Sequence, residues 1–105
     1  MKIRILSNGN HYQILEEFVR YDIIIYQGRL FALDKNYPYE LCDLDRLKSN
    51  LIDAEKKNWR SQERKTNFTN RIKEACDALV RIQREFIINE LLQPNYNFDP
   101  LCLAC

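Results

Sequence analysis

Glycine occurs twice and histidine once in this 105-residue chain, and the two scarcities narrow the chemistry open to it. A phosphate-cradling loop needs clustered glycines so that backbone N–H groups can close on the anion; Gly9 and Gly28 stand alone. Catalysis by a histidine-activated nucleophile needs the base held beside a Ser or Cys by a third group. Nothing in the sequence marks such partners for His11, which reads as a structural or surface residue. Acidic neighbours occur at Glu16-Glu17, Asp43 with Asp45, and Asp53 with Glu55. Side chains one or two positions apart do not converge on a helix face, so none of these makes an acid/base or metal pair. The expectation is a protein that is not an enzyme and carries no cofactor and no metal.

Long apolar runs are also missing. Nowhere do about 18 apolar residues follow one another as a membrane span requires, and MKIRIL at the start lacks the apolar stretch of a signal peptide. A cytoplasmic protein without membrane contact is expected. The four cysteines, Cys42, Cys76, Cys102 and Cys105, lack the density of a secreted disulfide framework and are expected as free thiols. Cys102 and Cys105 have zinc-ligand spacing but no second ligand pair. Cys102-Leu103-Ala104-Cys105 also loosely matches a C-a-a-X prenylation signal, with an atypical terminal Cys and no polybasic run before it. Both matches are read as coincidences. A net charge of +1 exerts no global pull toward nucleic acid or anionic membrane, so any electrostatic partner has to be read from local clustering.

What is present is the material of a folded, helix-leaning domain: 46% hydrophobic residues and 30% charged, with three prolines. A chain of this length is read as one domain, 1–105, with a β-rich part over 1–40, helices over 43–92 and a tail over 93–105. The expected fold class is α+β, a small antiparallel sheet of two hairpins followed by an antiparallel helical hairpin and an extended C-terminal tail. Asn8-Gly9 lies between apolar-alternating runs and predicts a two-residue type I′ turn; Gln27-Gly28 marks a second hairpin. Residues 12–21 fit a strand or a short helix capped by Asn10, and strand is the reading adopted. Ile23, Ile24 and Ile25 suit a strand covered on both faces. Residues 36–40, with Tyr37-Pro38-Tyr39, read as a loop, and Asp43 as the N-cap of the first helix with Asp45 in its first turn.

Leu44, Leu47, Leu51 and Ala54 follow helical spacing, as do Phe68, Ile72, Ala75, Leu79, Ile82 and Phe86. Both sets share one heptad phase, so 43–92 could form a single helix of roughly 75 Å at 1.5 Å per residue. Its seam would then bury Asn58, Ser61 and Lys65 in succession, three polar layers that a coiled coil tolerates poorly. Folding back near residue 63 pairs apolar with apolar and leaves Ser61 and Lys65 in the turn, so a hairpin is expected, its second helix beginning near Thr66 or Asn67. The second helix carries a broad apolar face, and part of it should pack on the sheet. In the tail, Tyr96, Phe98, Leu101 and Leu103 are expected to strap onto the domain or onto another chain.

The turn of that hairpin is basic. Lys56, Lys57, Arg60, Arg64, Lys65, Arg71 and Lys73 face the single acid Glu63. Such a run can be plain solvated surface, a contact for an acidic protein, or a phosphate-binding face. The expected function is a small non-enzymatic protein-binding module, an adaptor, regulator or inhibitor acting by occlusion, of the kind phages or mobile elements encode. Its candidate partner-binding residues are Lys56, Lys57, Trp59, Arg60, Arg64, Lys65 and Arg71, with Trp59 and the arginines as anchors and Trp59 dispensable for folding. The alternative is a nucleic-acid-binding accessory protein that contacts phosphates through 56–73 or uses a sheet face bearing Tyr12, Tyr21 and Tyr26. A homodimer is the further alternative left by the long-helix arrangement.

Overall fold

A computed structural model describes residues 2–6, 8–36 and 39–92, with side chains through Glu85. Five strands run in chain order: β1 Lys2–Ile5, β2 His11–Glu17, β3 Tyr21–Tyr26, β4 Arg29–Asp34 and β5 Glu40–Cys42. Each pairs antiparallel with the next, giving one sheet in the order β1-β2-β3-β4-β5. Two helices follow, α1 Leu44–Lys56 and α2 Gln62–Leu92. The α+β class and the helical hairpin are as expected, and residues 12–17 belong to a strand.

Turn chemistry builds the sheet. The two-residue turn lies at Gln27-Gly28, where φ is 51° and 75° and Tyr26 pairs with Arg29. At the other hairpin the expected two-residue turn is replaced by a three-residue loop. Leu6 N–H donates to the Asn10 carbonyl (2.9 Å), Gly9 N–H donates to the Leu6 carbonyl (2.9 Å), and Gly9 takes φ 88°. This is a turn closed by a left-handed glycine. Asn8 gives the longer loop its reason: its Oδ1 accepts from Asn10 N–H (3.0 Å) and its amide donates to the Tyr26 hydroxyl (3.2 Å), which Asn10 also reaches (2.9 Å). Those two donors lower the Tyr26 pKa.

β5 is an addition to the expected sheet, because three residues are too few to display a period. A bulge in β2 is also invisible to alternation: Ile14 pairs with Ile24 but Glu16 with Ile23. Leu15 faces the core beneath the helices, opposite Ile14, and the extra residue brings Glu16 to that same side, where it meets Arg81 of α2 at 2.6 Å.

Both faces of β3 are covered, as the isoleucine block implied. Tyr21 and Ile23, with Ala32 and Cys42, join Leu47, Ala54, Ile72, Ala75, Ala78, Leu79 and Ile82 in one core between sheet and helices. Tyr12, Ile14, Ile24, Tyr26 and Leu33 form a second cluster on the opposite face, flanked by Leu6, Phe31 and Leu41. Fully burying a residue such as Leu47 or Ile72 contributes about 2 kcal/mol. The helical hairpin therefore lies on the sheet, α2 over β3 and β4 and α1 beside β5. The wide apolar face of α2 demands this cover.

The reversal of direction occupies residues 57–61, earlier than residue 63, and α2 begins at Gln62 instead of Thr66 or Asn67. Local caps explain both shifts. Asp43 caps α1 by accepting from Arg46 N–H (2.8 Å), with Asp45 in the first turn. At its far end Lys57 N–H donates to the Asp53 carbonyl (3.1 Å) and the Trp59 indole N–H to the Ala54 carbonyl (2.7 Å). Ser61 then starts α2: its hydroxyl accepts from Arg64 N–H (3.3 Å), and Glu63 lies in the first turn near the positive end of the helix dipole. A side-chain cap replaces the glycine that the turn lacks. The tail over 93–105, including Cys102 and Cys105, lies outside the described residues. No helix among the described residues is long and apolar enough to cross a membrane.

Candidate functional site

The turn after β2, the residues after β4 and the first turns of α2 meet at one end of the molecule. There, Arg20 is the organising side chain. Its Nε and Nη2 donate to the two carboxylate oxygens of Asp34 (3.2 and 2.9 Å), and its guanidinium lies 4.3 Å from the centre of the Phe68 ring and 5.2 Å from that of Tyr21. Asp34 Oδ1 also accepts from Asn36 N–H (3.0 Å). The pair is largely buried, with side-chain exposures of 15% for Arg20 and 8% for Asp34. Burial alone would lower the Arg20 pKa, but the hydrogen bonds to Asp34 together with the charge interactions with Tyr21, Asp34 and Cys42 outweigh it and raise the pKa.

Next to this pair opens a cleft of about 360 Å³, at the small end of ligand pockets. Val19, Arg20, Asn36, Trp59 and Phe68 form its wall, and Arg64, Asn67 and Arg71 of α2 reach it from positions two turns apart. At 1.5 Å per residue, Arg64 and Arg71 are separated by about 10 Å along the helix axis, with the Asn67 amide between them. Among the described residues no carboxylate lines this cleft. A second depression beside it shares Arg20, Trp59 and Phe68 but is lined by Asp34, Glu40 and Asp53 together with Asn50 and Lys57. Anionic and cationic recesses thus adjoin, divided by the two aromatic rings.

The structure brings together three of the expected binding residues, Trp59, Arg64 and Arg71, in the cationic cleft and places Lys57 in its neighbour. Lys56 and Arg60 are exposed and line neither, and Lys65, half-buried in the second turn of α2, also lines neither. Trp59 differs from an exposed anchor. Its indole caps α1, its ring sits 5.2 Å from Phe68, and Lys57 Nζ lies 4.7 Å from its centre. It packs against the main core, so the expectation that it is dispensable for folding does not fit its contacts. Arg20, Asn36, Asn67 and Phe68 were not marked by the sequence as site residues. Arg20 comes from a turn more than 40 positions before α2, and no local pattern links the two.

Tyr12, Tyr21 and Tyr26 do not make a shared platform. Tyr12 pairs with Tyr26 on one face, while Tyr21 is fully buried under the helices. Burial pushes the Tyr21 phenol and the Cys42 thiol each up to about 12. Both groups are neutral when buried, so their contribution to stability is complete below the unfolded values of 9.0 for the thiol and 10.0 for the phenol. It is lost as pH climbs through the folded values. Urea midpoints are expected to stay level from neutrality to about pH 9 and to fall steadily toward pH 12; a level midpoint at pH 11 would remove this account of the pair.

His11 is exposed at the first position of β2. Among the described residues no group of three or more His, Cys, Asp or Glu side chains converges as a metal site. No protein-family model, curated protein or solved structure matches the chain.

Proposed function

We propose that this protein is a small non-catalytic binding module that holds an acidic segment of a partner protein in the cleft between Arg64 and Arg71. One observation carries the reading. Lys56, Lys57, Arg60, Arg64, Lys65, Arg71 and Lys73 form no ion pair among the described residues and are concentrated in one stretch, whereas the other unpaired cations, Arg4, Arg29, Lys48 and Arg84, are scattered along the chain. Unpaired like charges gathered on one region repel each other, and an anionic surface docking there relieves that repulsion and gains attraction. A segment held there is screened from other contacts, so the module acts by occlusion of the partner's surface.

Two features favour a protein over a nucleic acid. Binding of single strands draws on aromatic faces open to the bases, and Trp59 is flanked by Phe68 and Lys57 while Phe68 carries Arg20 and Trp59. The buried tyrosines of the sheet offer no substitute. Carboxylates suit the remaining chemistry, since guanidinium groups bind them in bidentate fashion and the Asn36 and Asn67 amides supply further donors. Titration with hexaglutamate, followed by amide chemical shifts, is expected to move Asn36, Arg64, Asn67 and Arg71 most and to weaken as salt rises. Shifts spread evenly over every cation of the chain would count against a defined site.

A further inference from the structure

We propose that the outer edge of β1 is a second docking site, one that takes an extended segment of a partner protein with alternating apolar and acidic side chains as a sixth strand. The inference does not rest on the Arg64 and Arg71 cleft. Of the two sheet edges, β5 is only three residues long and runs directly into the cap of α1. Among the described residues β1 has no strand beyond it, and all four of its residues are exposed.

Ladder alternation tells which groups are open. Leu6 N–H donates to the Asn10 carbonyl, and in an antiparallel pair the bonded positions recur at every second residue. The registers Arg4 with Tyr12 and Lys2 with Ile14 are therefore the bonded ones. Ile3 and Ile5 turn their N–H and C=O groups outward, in position for another strand. Ile3 and Ile5 are 66% and 62% exposed as residues, an unusual state for two isoleucines on one face of one strand.

Charge selects the occupant. Side chains alternate across a strand, so Lys2 and Arg4 share the face opposite Ile3 and Ile5. Lys2 is paired with Glu17 at 2.9 Å, and Arg4 forms no ion pair among the described residues. A second copy pairing edge to edge would set Lys2 and Arg4 against their own kind, and like charges directly across a ladder are destabilising. A segment with apolar residues flanking Ile3 and Ile5 and an acid opposite Arg4 satisfies both faces. Main-chain hydrogen bonds then supply affinity and the alternating side chains supply selectivity.

The test follows amide exchange in the full chain with two synthetic peptides, acetyl-Val-Glu-Val-Glu-Val-amide and its lysine counterpart. With the glutamate peptide at about ten times its Kd, exchange at Ile3 and Ile5 is expected to slow roughly tenfold, while Arg4 N–H, already bonded to β2, changes little. The lysine peptide should leave all three unchanged. Ile5→Pro removes an outward N–H without touching the ladder to β2, as an edge strand tolerates, and should abolish the effect. Arg4→Glu should reverse the preference between the peptides, which keeps the test sound if the proline variant unfolds. Unchanged exchange with the glutamate peptide, equal effects of both peptides, or slowing that follows protein concentration alone would each overturn the proposal.

Discussion

Asp34→Ala is expected to lower folding stability by about 3 kcal/mol, the range seen when one partner of a largely buried ion pair is removed. The carboxylate accepts from Nε and Nη2 of Arg20 and from the Asn36 N–H, and its loss leaves Arg20 charged and confined against Phe68. Arg20 Nη1 already has no hydrogen-bond partner among the described residues, so the variant would strand most of a guanidinium. Because the pair ties the turn after β2 to β4 and to α2, the damage should spread to the cleft and not stay local. Urea denaturation read by the single tryptophan measures it. Removing both charges, as in Arg20→Met with Asp34→Leu, should recover a good part of the loss, since the desolvation penalty disappears with the ions. A loss under about 1 kcal/mol in the single variant would mean that the pair behaves as an exposed one.

Reversing the two cleft arginines is expected to act on binding and spare the fold. Arg64→Glu with Arg71→Glu should weaken hexaglutamate binding about 30-fold, near 2 kcal/mol, as two attractive contacts become repulsive. Stability should change by no more than about 0.5 kcal/mol, because among the described residues neither side chain has an ion-pair partner to lose. Lys56→Glu with Arg60→Glu alters the net charge by the same amount but lies outside the cleft, and should reduce binding less than about threefold. Equal losses in both double variants would show attraction to diffuse charge and not to a site.

Much of this fold is legible in the sequence. The caps and periodicity of α1, the isoleucine block of β3 and the glycine at each hairpin are local signals with local physical causes. The doubling back of 44–86 was readable for a different reason: three consecutive polar residues at the seam of a straight helix are costly, and a turn removes them. What escaped was set by distance or brevity. The strand Glu40–Cys42 is too short to show a period, and the bulge at Leu15 breaks alternation only when the pairing with β3 is known. The helix start at Gln62 hung on a serine hydroxyl that composition does not distinguish from any other. For the site, Arg64 and Arg71 stood out because they lie in a basic run, but Arg20 did not, since its partners Asp34 and Phe68 are brought to it by the sheet and by α2. The packing of Trp59 is hidden for the same reason: an aromatic residue in a charged stretch looks exposed until Phe68 and the Ala54 carbonyl are seen beside it.

The most direct measurement is a pair of titrations at physiological salt, hexaglutamate and a short oligothymidylate, with amide shifts at Arg64, Asn67 and Arg71 and the emission of the only tryptophan recorded together. A cleft that holds acidic protein segments, with both aromatic rings engaged inside the molecule, predicts saturable shifts at those three amides with the peptide and no quenching of Trp59 by the oligonucleotide. Saturable quenching of Trp59 by oligothymidylate, with no response to the peptide, would contradict it.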